Sequence, residues 1–386
     1  MINGKKTLII IYVLEFFWAL SYALPLYAQS SFLGEFTSTK YVGLFIAAAS
    51  FFSIITIYVF PRLIKKFHNY RILLTLLIVN FLVIILLTTA PNVWSVLFFF
   101  ICYYVFMHLM TINMDVFLED VSDDISTGKT RTMFLTIMNS AILIAPLIMG
   151  YLARDNDYRL VYLVSSFLFI PIIIILLLSK KYLDDHIPYK SRHIHELLSI
   201  LKTKKDLMKI FGVAFTLRVF FALMVLYTPL YLHENLGFSW TQIGTIFFIM
   251  LIPYVILELP AGNMADKYIG EKELLVIGLI VMMVFTGLMF FITSKHLLVW
   301  SGMLFMTRVG AALVESMHEV YFFKLVSRRD TDLMNILRNM RPLGWLVGSG
   351  LAVITLTFFP IQYIFLLLAL IILLTIRSTL TIKDTK

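Results

Sequence analysis

The chain has 386 residues, of which 60% are hydrophobic and only 14% charged. Soluble globular chains carry about 25% charged residues, so a soluble enzyme is excluded and a lipid bilayer is the expected solvent. The net charge of +9 would suit a nucleic-acid binder, but its placement along the chain assigns it to membrane topology, and no nucleic-acid partner is expected.

About 20 mostly apolar residues cross the hydrocarbon as a helix. Twelve segments meet that length: 7–28, 40–60, 72–90, 93–114, 132–153, 158–179, 209–231, 241–260, 273–293, 297–318, 341–359 and 361–377. Lysines ahead of the first run resemble the start of a signal peptide. Glu15 interrupts that run and a polytopic pattern follows it, so segment 1 reads as a retained helix. Barrel strands alternate apolar and polar residues; these runs do not. The predicted fold class is an all-α polytopic membrane protein. Cys102, the single cysteine, lies in an apolar run and reads as a small buried hydrophobe.

Of the 32 Lys and Arg, 26 fall at the termini or in the loops that an even helix number puts on the same side. The opposite loops hold four, Lys40, Arg154, Arg159 and Lys295, and two more, Arg218 and Arg308, lie inside segments. The positive-inside rule then puts both termini in the cytoplasm, and the plasma membrane is the expected location. The long basic loop divides six segments from six. The expected domains are 1–180, a cytoplasmic linker 181–208, and 209–386. Within the linker, His193 to Leu201 is amphipathic and is expected along the inner membrane surface.

The two halves repeat one another. Glu15-Phe-Phe-Trp-Ala-Leu with Pro25-Leu-Tyr reappears as Arg218-Val-Phe-Phe-Ala-Leu with Pro229-Leu-Tyr. Met110-Thr111, Glu119 and Pro146 match Met306-Thr307, Glu315 and Pro342 at a constant offset of 196. Lys65 to Leu74 matches Asp266 to Leu275 at an offset of 201, with Asn69 against Gly270. Three registers in the same order indicate a six-plus-six duplication. Repeats of this kind are typical of transporters, with the site at their interface.

Glu258-Leu-Pro-Ala-Gly262-Asn-Met-Ala-Asp266-Lys267-Tyr-Ile-Gly270-Glu-Lys272 joins segments 8 and 9. Pro260 and Gly262 are expected to end segment 8, and Gly270 to take a positive φ. The stretch resembles the loop signature of the major facilitator superfamily, Gly-x-x-x-Asp-(Arg/Lys)-x-Gly-(Arg/Lys)-(Arg/Lys). It matches at Gly262, Asp266, Lys267, Gly270 and Lys272, with one extra residue before Gly270 and Glu271 in place of a base. The resemblance implies twelve helices in two pseudo-symmetric six-helix bundles. It also implies a conformational latch from Asp266 to the start of segment 5, near Lys129 or Arg131. The first-half copy has Lys65 for the acid and Asn69 for the glycine; Asn tolerates the left-handed region, so that turn is expected to survive while its latch does not. Ala141-x-x-x-Ala145-Pro146-x-x-Met149-Gly150 looks like the family's antiporter signature with three glycines replaced. The arginine of antiporters expected in segment 4 is replaced by Ile112, whereas Arg308 occupies the matching place in segment 10.

Charges at membrane depth cost at least roughly 2.5–3.5 kcal/mol, so they mark function or a partner. Glu15 shares a helix face with Trp18 and Tyr22, and Arg218 shares one with Phe221, Ala222 and Val225. By the resemblance, segments 1 and 7 line the central cavity. Glu15 and Arg218 are therefore expected there, as substrate and proton ligands or as a static ion pair. His108 and Arg308 are deep enough to touch cargo, although a lone His is more often a packing residue. Asp115, Glu119, Glu315 and Glu319 lie towards the cytoplasmic ends and are expected to gate by pairing with basic loops, ahead of contacting substrate. Pro25, Pro146, Pro229 and Pro342 are candidate bending points.

No metal constellation and no Gly-x-x-x-x-Gly-Lys-(Ser/Thr) motif is present in the sequence, so the expected driving force is a proton gradient with no cofactor. The expected function is secondary transport of a small organic solute by a monomer, with efflux ahead of uptake symport. A non-transporting membrane sensor or assembly protein is the alternative from another class.

Overall fold

The computed structural model describes residues 2–121, 127–183, 205–267, 269–325 and 331–382, and all regular structure among them is helical. The chain divides into two compact units, Met1–Lys190 and Ser191–Lys386. The first contains α1 (Ile2–Leu26), α2 (Thr39–Phe67), α3 (Asn69–Thr88), α4 (Val93–Val121), α5 (Thr127–Leu152) and α6, in two parts, Tyr158–Phe167 and Phe169–Ser179. The second contains α7 (Lys205–Leu230), α8 (Trp240–Lys267), α9 (Glu271–Met289), α10 (Leu297–Leu325), α11 (Thr331–Phe358) and α12 (Tyr363–Thr379). Among the described residues, eleven of these are long and apolar enough to cross a membrane, and α12 is apolar but shorter.

The helices are longer than hydropathy suggests at one set of ends. α4 runs on to Val121, α8 to Lys267 and α10 to Leu325, while α11 begins at Thr331. Hydropathy falls where charged turns begin, but backbone i→i−4 bonds continue through polar residues equally well. Pro260 and Gly262 do not end α8, contrary to expectation; the helix carries both Pro253 and Pro260 within it. A proline removes a single intrahelical bond, and membrane helices tolerate that loss because neighbouring groups satisfy the freed carbonyl. Pro25, Pro146, Pro229 and Pro342 likewise lie inside helices. After Pro229 the chain widens into a π-helical turn, Tyr231–Asn235.

The duplication extends to packing within each unit. In the first, α1 packs on α4, α5 and α6, and α4 packs on α2 and α3. In the second, α7 packs on α10, α11 and α12, and α10 packs on α8 and α9. Lipid supplies no hydrophobic drive between helices, so close small-residue contacts and buried hydrogen bonds hold them. Ser21 and Ser165 exchange bonds across α1 and α6, each hydroxyl donating to the other's carbonyl at 2.8 Å. The hydroxyls of Thr216 and Thr375 meet at 2.7 Å across α7 and α12. Gly278 and Gly310 bring α9 and α10 together so tightly that a Cβ on Gly310 would lie 2.6 Å from the Gly278 carbonyl oxygen.

The turn before α9 has Gly270 at φ 98°. Its counterpart before α3 has His68 at φ 65°, and Asn69 is the first residue of the helix. The expected match of Asn69 to Gly270 is thus one residue out of register. His68 corresponds to Gly270, and Asn69 to Glu271. Both of the latter are buried and anchor their helix to its neighbour: Asn69 Nδ2 donates to the Asn113 carbonyl of α4 at 3.0 Å, and Glu271 is ion-paired with Lys324 of α10. The acid standing where the signature has a base is therefore a helix-to-helix contact. The amphipathic stretch of the linker, His193 to Leu201, lies outside the described residues.

Candidate functional site

In the first unit the charge centre is on α1. Glu15 is 1% exposed, and its Oε2 has no hydrogen-bond partner among the described residues. Asp115 of α4 is the carboxylate that acts on it electrostatically. Trp18, one turn on, is buried with its Nε1 unpartnered, and it stacks on Tyr22 with ring centroids 5.5 Å apart and planes at 15°. The face predicted from helical spacing therefore exists as an acid followed by two stacked aromatic rings. Asp115 belongs with this group through Glu15, whereas sequence placed it among the gating acids facing basic loops.

His108 is buried on α4. Its Nδ1 lies 2.9 Å from the Tyr104 carbonyl one turn earlier, and its ring lies over that of Tyr104 at 4.4 Å. A carbonyl only accepts, so Nδ1 carries the hydrogen.

The second unit is built differently at the matching positions. Arg218 of α7 is ion-paired with Glu315 of α10, Nη1 to Oε1 at 3.0 Å, with side chains 14% and 29% exposed. Glu315 was expected to meet a basic loop; its partner is instead a membrane-embedded arginine of the same half. The reason is the packing of α7 on α10, which places the two residues at one level. Gly344 of α11 makes room for Arg218: a Cβ there would lie 2.4 Å from the Arg218 Cβ. His318, a turn beyond Glu315, is buried and uses Nδ1 to donate to the Val314 carbonyl at 2.9 Å.

Arg308 lies one turn before Ala311 and Ala312 on α10 and is 1% exposed. Its guanidinium carbon sits 5.1 Å from the ring centre of Phe220 and 5.3 Å from that of Phe221, both on α7. Arg218 approaches the Phe221 ring as well, at 5.7 Å. Arg308 Nε and Nη1 are buried without a hydrogen-bond partner among the described residues. Sequence identified Arg308 and the Phe221 face separately; it missed Phe220, His318 and Gly344, whose roles depend on which helices touch.

Most of the latch residues lie outside the described ones. Lys272 is half-buried and Gly270 buried at the start of α9. The side chains of Asp266, Lys267, Glu119, Lys129 and Arg131, and the surroundings of Gly262, lie outside the described residues. Among the described residues no three His, Cys, Asp or Glu converge as metal ligands.

The model of the Major Facilitator Superfamily matches residues 8–251 and 210–382, between them nearly the whole chain. The chain belongs to the major facilitator superfamily. Superfamily membership makes it a multi-pass membrane protein and a secondary transporter by class. Two solved structures of a bacterial homologue of the human lysosomal transporter Spinster share the fold. One is inward-facing and unoccupied, with TM-score 0.70 and 11% identity over 99% of this chain and 98% of that one. The other is inward-facing and occupied, with TM-score 0.73 and 12% identity over 97% and 96%. At such identity the likeness establishes the superfamily fold alone. No curated protein sequence matches this chain.

Proposed function

We propose that this superfamily member is a proton-coupled exporter of small organic solutes, acting as a monomer in the plasma membrane with both termini cytoplasmic. The observation that carries the reading is Glu15, a carboxylate 1% exposed in a membrane helix, with Oε2 unpartnered among the described residues and a second carboxylate, Asp115, acting on it. A buried, unpaired carboxylate costs several kcal/mol, and a proton removes that cost. Exposure to one side and then the other turns that proton into a coupling ion. Trp18 and Tyr22 beside it offer a stacked aromatic surface to an apolar part of the cargo. Arg218 is the fixed charge at the repeat-equivalent place, held by Glu315 and open to exchange partners during the cycle. Efflux is preferred over uptake on Ala141, Ala145 and Pro146, the antiporter-like stretch of α5, where both alanines are fully buried.

The test uses everted membrane vesicles with an acidified interior, supplied with a pool of small metabolites and read by mass spectrometry. Wild type is expected to accumulate at least one solute, a protonophore to abolish this, and Glu15→Gln to lose it. Accumulation by Glu15→Gln equal to wild type sinks the coupling role. Accumulation only in right-side-out vesicles makes the protein an uptake symporter, and ligand binding without flux in either orientation makes it a sensor.

A further inference from the structure

The pair formed by Arg218 and Glu315 leaves a second buried guanidinium, that of Arg308, unaccounted for. Arg308 is 1% exposed, its Nε and Nη1 have no acceptor among the described residues, and no described carboxylate is ion-paired with it. On its own helix the positions one turn away are Leu304, Phe305, Ala311 and Ala312, none of which is an acid. The facing rings of Phe220 and Phe221 provide cation–π attraction, worth up to about 2 kcal/mol when desolvated. A ring face accepts no strong hydrogen bond, so this does not replace the water lost by a guanidinium with five N–H donors. Buried charges persist where they are paired or where function requires them. The two arginines share the Phe221 ring, and among the described residues the ion pair at that ring is Arg218 with Glu315, which leaves Arg308 without one.

We infer that Arg308 binds an oxyanion carried by the transported solute, a carboxylate or phosphate ester with an apolar or aromatic body. The guanidinium supplies a planar donor array suited to such groups. Phe220 and Phe221, with Tyr254 of α8 packed 6.3 Å from Phe221, supply the surface for the apolar part. This deepens the transport reading and rests on it for the word cargo, though binding is measured separately from flux.

The experiment is thermal unfolding of the purified protein at fixed ionic strength, with benzoate and phenyl phosphate as anionic probes and benzamide as the neutral control. At least one anion is expected to raise the wild-type midpoint in a saturable way, with benzamide having no such effect. Arg308→Met, which replaces a buried charge by a chain of similar length, is expected to fold and to bind that anion about tenfold or more weakly. Arg308→Lys keeps the charge without the planar array; it is expected to bind with intermediate affinity and serves in its place should Arg308→Met not fold. The inference is overturned if benzamide stabilises as well as the anions, if neither anion stabilises wild type, or if the affinity is undiminished in Arg308→Met or, where that variant does not fold, in Arg308→Lys. Anion binding through Arg308 without proton-driven flux would retire the transport reading alone, and proton-driven flux of neutral solutes only would retire this one alone.

Discussion

Arg218 and Glu315 meet at 3.0 Å across α7 and α10, at positions where the first half has Glu15 and Glu119. The second half thus neutralises its inner charge with an acid of its own. Removing either partner of a fully buried pair costs about 3–5 kcal/mol; partial exposure here reduces the expected cost of Arg218→Ala or Glu315→Ala to roughly 1–3 kcal/mol. The double variant should be less destabilised than the sum of the singles, by a coupling of about 0.5–3 kcal/mol. Unfolding midpoints of the three proteins measure this, and strict additivity would show that the pair contributes nothing.

Arg218 is held in place by an absence of side chain. A Cβ on Gly344 would meet the Arg218 Cβ at 2.4 Å, the Arg218 carbonyl carbon at 2.9 Å and the Val219 nitrogen at 3.0 Å, so part of the α7 backbone would have to move. Gly344→Ala should therefore force α11 away from α7 and destabilise by about 1–3 kcal/mol. Gly350, on the same helix, has nothing within 4 Å of its Cβ position, so Gly350→Ala should be neutral or stabilising by up to about 1 kcal/mol. Equal midpoints for the two variants would contradict the close approach.

The twelve helices were legible because hydropathy is a one-dimensional property, and the superfamily because loop, repeat and charge bias all agree. Contacts across helices were not. Whether Glu315 meets a loop or Arg218 depends on how α10 is rotated against α7, and apolar segments carry no signal for that rotation. The one-residue slip between Asn69 and His68 has the same origin, since a short loop match cannot fix which residue bears the positive φ. Arg308 was legible as a buried charge, but that its Nε and Nη1 find no acceptor among the described residues is a three-dimensional fact.

Glu271 departs from the loop signature, and its contact shows what the departure does. It is 1% exposed at the first turn of α9 and ion-paired with Lys324 of α10. An acid in the first turn also complements the helix dipole. Lys324→Ala leaves that carboxylate buried without its cation, with an expected loss of about 1–3 kcal/mol. Glu271→Gln, which retains a hydrogen-bond acceptor without the charge, should cost less, and Glu271→Lys should be the most damaging of the three. A ranking by melting temperature with Glu271→Lys as the mildest change would refute the contact's role.

On the opposite set of loops, Glu35 follows the short helix Gln29–Gly34 beside the start of α6. Glu35 is exposed as a residue, but partial desolvation of its carboxyl raises it above the ordinary 4.5; Arg159 opposes this and Asp157 adds to it. Asp157 is fixed there because it caps α6, accepting from the Leu160 amide at 3.0 Å, and Arg159 lies over the Phe36 ring at 5.9 Å. A carboxyl with a raised folded value binds its proton more tightly folded than unfolded. Its contribution is therefore complete below pH 4.5 and is lost as pH rises through the higher folded value. Glu35→Gln cannot ionise, so it should match wild type at pH 4 and become the more stable of the two above that window. Melting curves from pH 4 to 7 test this, and a gap that widens towards acid would reverse the assignment.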